Sequence, residues 1–580
     1  MAQLGQQGLI RVVPGPALEA SIKQADKQRA LELAPPTQQD ASMTELARYI
    51  RAQFEIMSNH RNSASGWSER LLKALRAFNG EYDPAKLQQI RQFGGSDVYA
   101  RIIAMKARGA TSLLRDVYLA PDRPWGLDPA ADPDVPEGIV KAINELVNSE
   151  LASVDAFGGD PTLNTDAVRD RVMALMRSAR QAAKKKAEEQ AKVAEDKIEE
   201  ILVNGNFYKA VAEFLVDLPL FPFACIKGPI VRIVPAVVWQ NGAATIQQRP
   251  RLFWQRVSPF DLFFTPGASE IEDAAVIERT RYSRSDLNDL LDLPGYDHDA
   301  IRAVLTEYSN GLHDNLDTTD SERAEQENRE NPTTNRSGII SCLEFHGNVQ
   351  GLTLLQQGMS SELIQDPLRD YMVQAWLIGR HIIKVQLSPS PRKRHPFYIS
   401  SFEKVPGTPV GNGLPDILHD VADVCNASLR ALVNNLSIAS GPQVVVNTDR
   451  ISPDENVEDM YPWKRWRVVD DPLGNNSQVP ISFFQPNSNA NELLAVYQKF
   501  SDIGDELSAI PKYLSGNNMG GAGRTASGLA MLMSNASKIL QTVAANIDRD
   551  VFDPALTNLF DMLMLLSLIH ISEPTRQAEI

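Results

Sequence analysis

Apolar residues recur every three to four positions along several stretches of the chain, and this spacing predicts amphipathic helices. One stretch covers 42–77 and ends at Asn79-Gly80. Further helices are predicted over 96–120, 136–157 and 166–204. The apolar stripe of the helix at 96–120 comprises Val98, Ile102, Met105, Leu113 and Val117.

Two blocks of the chain favour β-strands instead. Strands are predicted over 227–238 and 243–257, and the Asn241-Gly242 dipeptide between them is typical of a tight hairpin turn. Residues 259–266 form an apolar loop or an edge strand. Strands resume at 338–347 and 371–387. The intervening stretch 310–335 is polar and acidic, which predicts a disordered surface loop within one domain.

The pattern of the next part of the chain predicts an excursion from the rest of the protein: one helix leads out, a small β module follows, and a second helix leads back. A helix over 414–439 follows Gly411-Asn412-Gly413, and a second covers 489–514. Helices of more than twenty residues would extend roughly 35 Å at 1.5 Å per residue. Short strands are predicted between them at 443–447, 463–469 and 479–484. Asp416, Asp420 and Asp423 lie along one face of the first helix, about one turn apart.

A glycine-rich stretch, 520–528, precedes a helix predicted over 529–565. Such a loop before a helix is the outline of a phosphate cradle. The Walker pattern fits poorly, because Asn518 stands where the first glycine belongs and Arg524 replaces the lysine. The segment before it also reads as helix, which favours a hinge that uses glycine for backbone freedom. The candidate hinge residues are Gly520, Gly521, Gly523 and Arg524.

Composition limits the possible functions. The 580 residues carry 58 basic and 73 acidic side chains, for a net charge of −15. That balance argues against gripping nucleic acid through clustered lysine and arginine, but it suits a surface past which DNA slides. Three widely spaced cysteines without a Cys/His cluster indicate a reducing compartment and no zinc site. We find no secretory signal and no apolar run long enough to span a bilayer.

No catalytic constellation emerges from the sequence. There is no G-x-S-x-G and no H-E-x-x-H, and the eight histidines are scattered. We therefore expect no catalytic residue, metal or cofactor. A basic and aromatic cluster includes Trp463, Arg465 and Trp466. Such a cluster can stack bases, although an exposed strand or a protein-docking surface accounts for it more simply.

Several short motifs, taken in order, resemble the portal (head-to-tail connector) proteins of short-tailed double-stranded DNA phages. The resemblance covers about 43–565 and depends on the order of the motifs, since each is weak alone. The motifs are Gly94-Gly95-Ser96-Asp97-Val98-Tyr99-Ala100-Arg101, Leu114-Arg115-Asp116-Val117-Tyr118-Leu119-Ala120 with Pro124-Trp125, Phe221-Pro222-Phe223-Ala224 with Lys227-Gly228-Pro229, Gly411-Asn412-Gly413-Leu414-Pro415, and Gly523-Arg524-Thr525-Ala526-Ser527-Gly528.

The resemblance implies an α+β fold, mainly helical, with β-containing wing and clip modules and two long stem helices. It also implies a ring, usually of twelve subunits, at one capsid vertex of the virion. The implied parts are a mobile arm at 1–42, the wing at 43–410, stem helix 1 at 411–440, the clip at 441–486, stem helix 2 at 487–514, the tunnel-loop and hinge region at 515–528, and a returning helix at 529–565 without the crown.

The same resemblance implies a non-enzymatic function in DNA packaging and ejection. The expected partners are the terminase large subunit, capsid, scaffolding and tail adaptor proteins, and double-stranded DNA passing through the channel without sequence preference; no membrane is expected. In this setting Trp463, Arg465 and Trp466 are candidates for clip docking. The acidic stripe of Asp416, Asp420 and Asp423 would repel the DNA backbone if it faces the lumen.

The last residues have a different interpretation. Residues 566–580 match the in-frame translation of a transposase-type sequencing adaptor followed by index sequence, so we expect a C-terminally truncated portal chain and exclude them from fold reasoning. Two other functions stay open from the sequence. One is a nucleotide-dependent packaging motor that uses the loop from Gly520 to Thr525, and the other is a capsid-associated scaffold protein with a coiled-coil helix at 166–204.

Overall fold

The computed structural model describes residues 43–120, 123–128, 141, 145, 165–240, 243–312, 319–329, 338–454, 456–459, 461, 463–469, 479–510 and 538–570. Helices and several small sheets alternate, so the mixed α+β prediction is confirmed. The predicted arm at 1–42, the helix at 136–157 apart from two positions and the glycine-rich stretch lie outside the described residues.

The described helices and strands have the following bounds. The helices are α1 Glu45–Arg61, α2 Ser68–Asn79, α3 Pro84–Gln92, α4 Ile102–Tyr118, α5 Thr165–Asn204, α6 Phe207–Leu220, α7 Arg284–Leu290, α8 His298–Glu307, α9 Thr319–Gln326, α10 Gly351–Gln356, α11 Leu414–Ala439, α12 Ala490–Ser508 and α13 Asp553–His570. The strands are β1 Ala224–Gln240, β2 Ala243–Val257, β3 Leu262–Phe264, β4 Val276–Tyr282, β5 Ile340–Gln350, β6 Asp370–Ile378, β7 His381–Leu387, β8 Phe397–Ser400, β9 Gln443–Val446 and β10 Ile481–Phe484.

The largest sheet has the antiparallel order β3-β4-β5-β6-β7. The predicted edge strand within 259–266 is confirmed as β3. Alternating side chains give the sheet two apolar faces, one covered by α1 and the other by α7 and α8. The two strand blocks that the sequence separated therefore join, because β4 pairs with β5 from Val276 to Tyr282.

A second sheet has the order β2-β1-β8. Gln240 pairs with Ala243, so the predicted two-residue hairpin is confirmed. The inner ends of β1 and β8 share a core with α2 and β3, so this core joins the two sheets. We call 43–410 together with 538–570 the body, and 411–510 the hairpin.

The helix α4 begins later, and packs through a different face, than the sequence predicts. It starts at Ile102 rather than at 96, and Met105 and Val117 are exposed. The buried side instead includes small residues, which let neighbouring helices approach closely. That buried side contains Ile103, Ala107, Ala110, Leu114 and Tyr118. The predicted stripe is therefore wrong at Val98, Met105 and Val117, which are exposed, whereas Ile102 is buried and Leu113 packs half-buried against this core.

The prediction of a disordered loop over 310–335 is wrong for 319–329. These residues contain α9, which contacts α2 through a hydrogen bond of 2.9 Å from Asn79 Nδ2 to the carbonyl oxygen of Gln326. Asp320 lies on the same helix and is buried. The guanidinium of Arg279 donates to both of its carboxylate oxygens at 2.7 and 2.8 Å. Charged residues that look solvated in the sequence thus fix this helix against the sheet.

The hairpin consists of α11 and α12 with β9 and β10 between them. Asn435 accepts a hydrogen bond of 3.0 Å from the backbone of Asn489. Nearer the body, a Cβ added at Gly504 would lie 3.3 Å from Cγ1 of Val421. Later residues of α12 thus meet earlier residues of α11, so the two helices run antiparallel. The predicted excursion of helix, β module and helix is confirmed, although α12 has 19 residues and ends at Ser508 rather than at 514.

The chain re-enters the body as a helical run from 538 to 570. Leu540, Val543 and Ile547 join the core around α4 and α6. A π-helical turn over Asp548–Phe552 precedes Pro554, whose missing N–H removes one α-helical hydrogen bond. The helical run is consistent with the predicted returning helix from 538 onward. It continues through 566–570, while 571–580 lie outside the described residues, so the adaptor interpretation stays a prediction.

Candidate functional site

Within the described ranges, no group of three or more His, Cys, Asp or Glu side chains is arranged to hold a metal ion. All three cysteines are buried free thiols. Among the helices that the structure describes, none has both the length and the apolar character to cross a bilayer. We therefore examined the regions that the sequence singled out: the acidic face of α11, the cluster around Trp463, and the two ends of the glycine-rich segment.

Asp416 lies in the first turn of α11, where its carboxylate has two kinds of partner. Its Oδ2 accepts a hydrogen bond of 3.0 Å from the backbone N–H of Gly413, which caps the helix. Arg70 of α2 donates to both carboxylate oxygens, at 3.1 and 2.8 Å. This carboxylate therefore holds α11 to the body, a role that its position on the predicted acidic stripe did not suggest.

The other two aspartates of the stripe differ from each other. Asp423 accepts a hydrogen bond of 2.8 Å from Nζ of Lys86 on α3. Asp420 is exposed, and no cation of the described chain lies within ion-pair distance of it. A polar cavity of about 340 Å³ opens beside the two paired aspartates, and its lining also includes Arg76. Two of the three negative charges are thus balanced within the chain, and the lumen orientation stays a prediction.

The cluster around Trp463 lies at the far end of the hairpin. The predicted strand over 463–469 is wrong, because its only described pairing is an isolated bridge between Val468 and Ile451. Trp463 has a φ of 67°, which is rare for a bulky residue, and its side chain is 95% exposed. A left-handed residue cannot continue a strand, so the backbone turns here and presents the indole to solvent.

The basic residues of this cluster have different environments. Lys464 lies 3.8 Å from the centroid of the Trp466 ring and donates to the carbonyl oxygens of Asn456 and Asp459. The Lys464 ammonium therefore already interacts with groups of its own chain. Arg465 is exposed, whereas Trp466 is half-buried. Trp463 and Arg465 are thus available to a partner.

The short sheet at this end of the hairpin exposes apolar side chains. Its two strands have four residues each, and they pair along their whole length: Gln443 pairs with Phe484 at one end, and Val446 pairs with Ile481 at the other. Val445, Phe483 and Phe484 are each about 60% exposed. An isolated two-stranded sheet is only marginally stable in water, and exposed apolar patches mark sites of protein contact.

The candidate hinge residues Gly520, Gly521, Gly523 and Arg524 lie outside the described residues, but both ends of their segment are described. Before it, Lys106 Nζ donates to Asp505 Oδ1 at 2.6 Å and to the carbonyl oxygen of Ile510. Lys106 and Ile510 are both buried. After the segment, Leu540 joins the same core as Ile510. Both ends are thus anchored to one core.

The sequence analysis missed two buried ionic clusters. In the first, Lys227 Nζ lies 2.6 Å from Oε2 of Glu278 and 2.7 Å from Oε2 of Glu344. The second joins arginines of β4 and α9 to buried aspartates. Lysine and glutamate inside otherwise apolar strands were the signal that could have revealed the first cluster.

The pKa values of the two buried glutamates of the first cluster shift in opposite directions. Burial raises the pKa of Glu278, and the neighbouring Glu344 carboxylate adds to the shift against the attraction of Lys227. Burial alone would raise the pKa of Glu344 as well, but Lys227 and His346 hold it well below its usual range. His346 Nε2 donates a hydrogen bond of 2.9 Å to Oε1 of the ionised Glu344, and burial lowers the pKa of His346. The two carboxylates therefore share one lysine, with the proton favoured on Glu278.

Comparison with protein-family models gives no match, and a search of curated proteins finds no relative of this chain.

Proposed function

We propose that the chain is the subunit of a portal ring, which forms the channel for viral DNA at one capsid vertex. The observation that carries this proposal is the antiparallel pair of α11 and α12 with a small β module at its far end. In the portal arrangement these helices are the stem, β9 and β10 belong to the clip, and the body is the wing. The proposed ring has twelve subunits, the usual number in the family; it is assembled in the host cytoplasm and carried in the virion.

The far end of the hairpin supports a docking role within this proposal. Trp463 and Phe484 present large apolar side chains to solvent, and aromatic anchors are enriched at protein interfaces. The terminase large subunit during packaging, and tail adaptor proteins afterwards, are the proposed partners of this end. Scaffolding and capsid proteins would contact the wing.

The channel role follows from the overall charge and from Asp420. A protein with a net charge of −15 would bind few DNA phosphates tightly, so the duplex could slide without sequence preference. We place the exposed Asp420 on the lumen side, while Asp416 and Asp423 fix the stem to the wing through Arg70 and Lys86. No nucleotide, metal or other cofactor has a role in this proposal.

Electron microscopy of the purified full-length chain tests the proposal. A ring with a central channel is the expected result, and monomers or filaments at high concentration would contradict it. Calorimetry with ATP separates the packaging-motor alternative, because a portal subunit should bind no ATP.

A further inference from the structure

Four arginines converge where β4 and β5 meet α9, and two of them are fully occupied. Arg279 donates to Asp320 at 2.7 and 2.8 Å and to Asp261 at 2.9 and 3.2 Å. Arg323 donates to Asp261 at 2.8 Å and to Glu327 at 3.1 Å. These two guanidinium groups therefore use the carboxylates of the cluster, of which Asp320 is buried and Asp261 and Glu327 are half-buried.

Arg281 lies two positions further along β4, on the same face of the sheet as Arg279. Its nearest carboxylate oxygen is 3.7 Å away and belongs to Asp320, which Arg279 already holds by two hydrogen bonds. Its guanidinium makes no hydrogen bond within the described part of the chain, although only 32% of the side chain is exposed. The five donors of this group are therefore available.

The surroundings of Arg281 carry excess positive charge. Burial lowers the pKa of Arg281, and the guanidinium groups of Arg279 and Arg323 lower it further. Burial, Arg323 and Arg281 likewise lower the pKa of Arg329. In the cluster, four arginines face the three carboxylates of Asp261, Asp320 and Glu327, which leaves one positive charge.

Ser341 of β5 supplies an independent observation. It pairs directly with Arg281 across the antiparallel strands, so the two side chains leave the same face with Cβ atoms about 5 Å apart. The residue is 6% exposed, and its Oγ is buried without a hydrogen-bond partner in the described structure. A buried hydroxyl without a partner is uncommon and calls for an explanation such as a bound ion.

We propose that Arg281 and Ser341 bind a small oxyanion of the phosphate class. The planar guanidinium can donate to two anion oxygens at once, and the serine hydroxyl can donate to a third. One bound anion would balance the excess charge of the cluster and give Ser341 Oγ its missing partner. The site lies where α9 is attached to the sheet, so occupancy would also stabilise that attachment. This inference is independent of the portal proposal.

Titration of the full-length chain with inorganic phosphate tests the site, with chloride balancing the ionic strength. Calorimetry should give saturable binding, and the thermal unfolding midpoint should rise with phosphate. Arg281→Gln should weaken binding about tenfold or more, and Ser341→Ala about threefold to tenfold, as expected for charge-assisted and neutral hydrogen bonds. Arg302→Gln, at an exposed position of α8, is the matched control and should leave binding within about twofold of the parent.

The possible results separate clearly. Absence of saturable binding overturns the proposal. Equal loss in Arg281→Gln and Arg302→Gln, or no loss in either, means an adventitious ion only. Circular dichroism establishes that the variants fold. If Arg281→Gln does not, Arg281→Lys keeps the charge but removes the planar fork, and it should bind phosphate more weakly while folded. Binding of phosphate by Arg281→Lys as tightly as by the parent contradicts the proposed geometry.

Discussion

The body and the far end of the hairpin use charged and apolar residues in opposite ways. The body buries Lys227 and Arg279 completely and gives each two carboxylate partners. At the far end of the hairpin, the large apolar side chains of Trp463 and Phe484 are exposed. The body therefore pairs these two buried cations within the chain, whereas the hairpin exposes apolar surface. Substitutions in the two regions should consequently affect different properties.

The largest expected effect is that of Lys227→Met. Removing the ammonium leaves Glu278 and Glu344 buried together without a cation, which should lower the free energy of unfolding by about 3–5 kcal/mol at neutral pH. Urea denaturation measures the loss. Lys73→Met is the control, because Lys73 forms an exposed helical pair with Glu69 and should cost under about 0.5 kcal/mol. Similar losses in both variants would contradict the assigned role of the buried cluster.

A matched pair of phenylalanines compares the regions directly. Phe345→Ala empties a fully buried position of β5 and should cost about 3–4 kcal/mol. Phe484→Ala removes an exposed ring of β10 and should change the free energy of unfolding by about 0.5 kcal/mol or less. Denaturation of the two variants side by side measures these two changes in the free energy of unfolding. A large loss of stability for Phe484→Ala would show that the hairpin end is a folded core of its own.

The pH dependence of stability should show that Glu278 is protonated in the folded protein. A raised pKa in the folded state gives stability that is complete below the unfolded value of about 4.3 and is lost as the pH rises through the folded pKa. Glu344 has the opposite sign, because its lowered pKa gives stability that is present above about 4.3 and lost in acid.

Glu278→Gln removes the pH dependence of stability that is due to Glu278. Relative to the parent, the variant should keep its stability as the pH rises from about 4.3 toward neutrality, while the acid-side loss due to Glu344 remains. Urea midpoints at a series of pH values provide the measurement. Parallel curves for parent and variant would mean that Glu278 is ionised in the folded protein.

The smallest effects concern the acidic face of α11. Asp416→Asn weakens the pairing with Arg70 and the cap at Gly413, and should cost about 1–2 kcal/mol. Asp420→Asn should leave stability within about 0.5 kcal/mol, because this side chain is exposed. If the portal proposal holds, Asp420→Asn should instead alter DNA packaging or retention in assembled particles. Unchanged packaging and retention would remove Asp420 from the proposed channel lining.

Local sequence signals predicted the parts of the fold that depend on local patterns. The β1–β2 hairpin has a turn dipeptide, and the helices α11 and α12 have strong periodicity, so all were predicted. Packing that depends on distant partners was not. The buried face of α4 is set by its small residues, and the order of α9 is set by Arg279, which lies 41 positions before Asp320.

The same limit applies to the candidate site. The sequence identified Trp463 and the three aspartates as unusual. It did not indicate that Asp416 and Asp423 pair with Arg70 and Lys86, because these two residues come from helices more than 300 positions earlier. The left-handed backbone at Trp463 also escaped prediction, since its cluster has the composition of a strand. Contacts between distant segments decide which charges remain available, and periodicity carries no information about them.

The anchors at Ile510 and Leu540 bring both ends of the segment 511–537 to one core. Lys106 holds the first end, and the core around α4 holds the second. Holding two distant points of a chain close together costs closure entropy, and the buried contacts at these anchors offset that cost. Ile510 and Leu540 therefore act as a non-covalent cross-link between the end of the hairpin and the helical run that begins at 538.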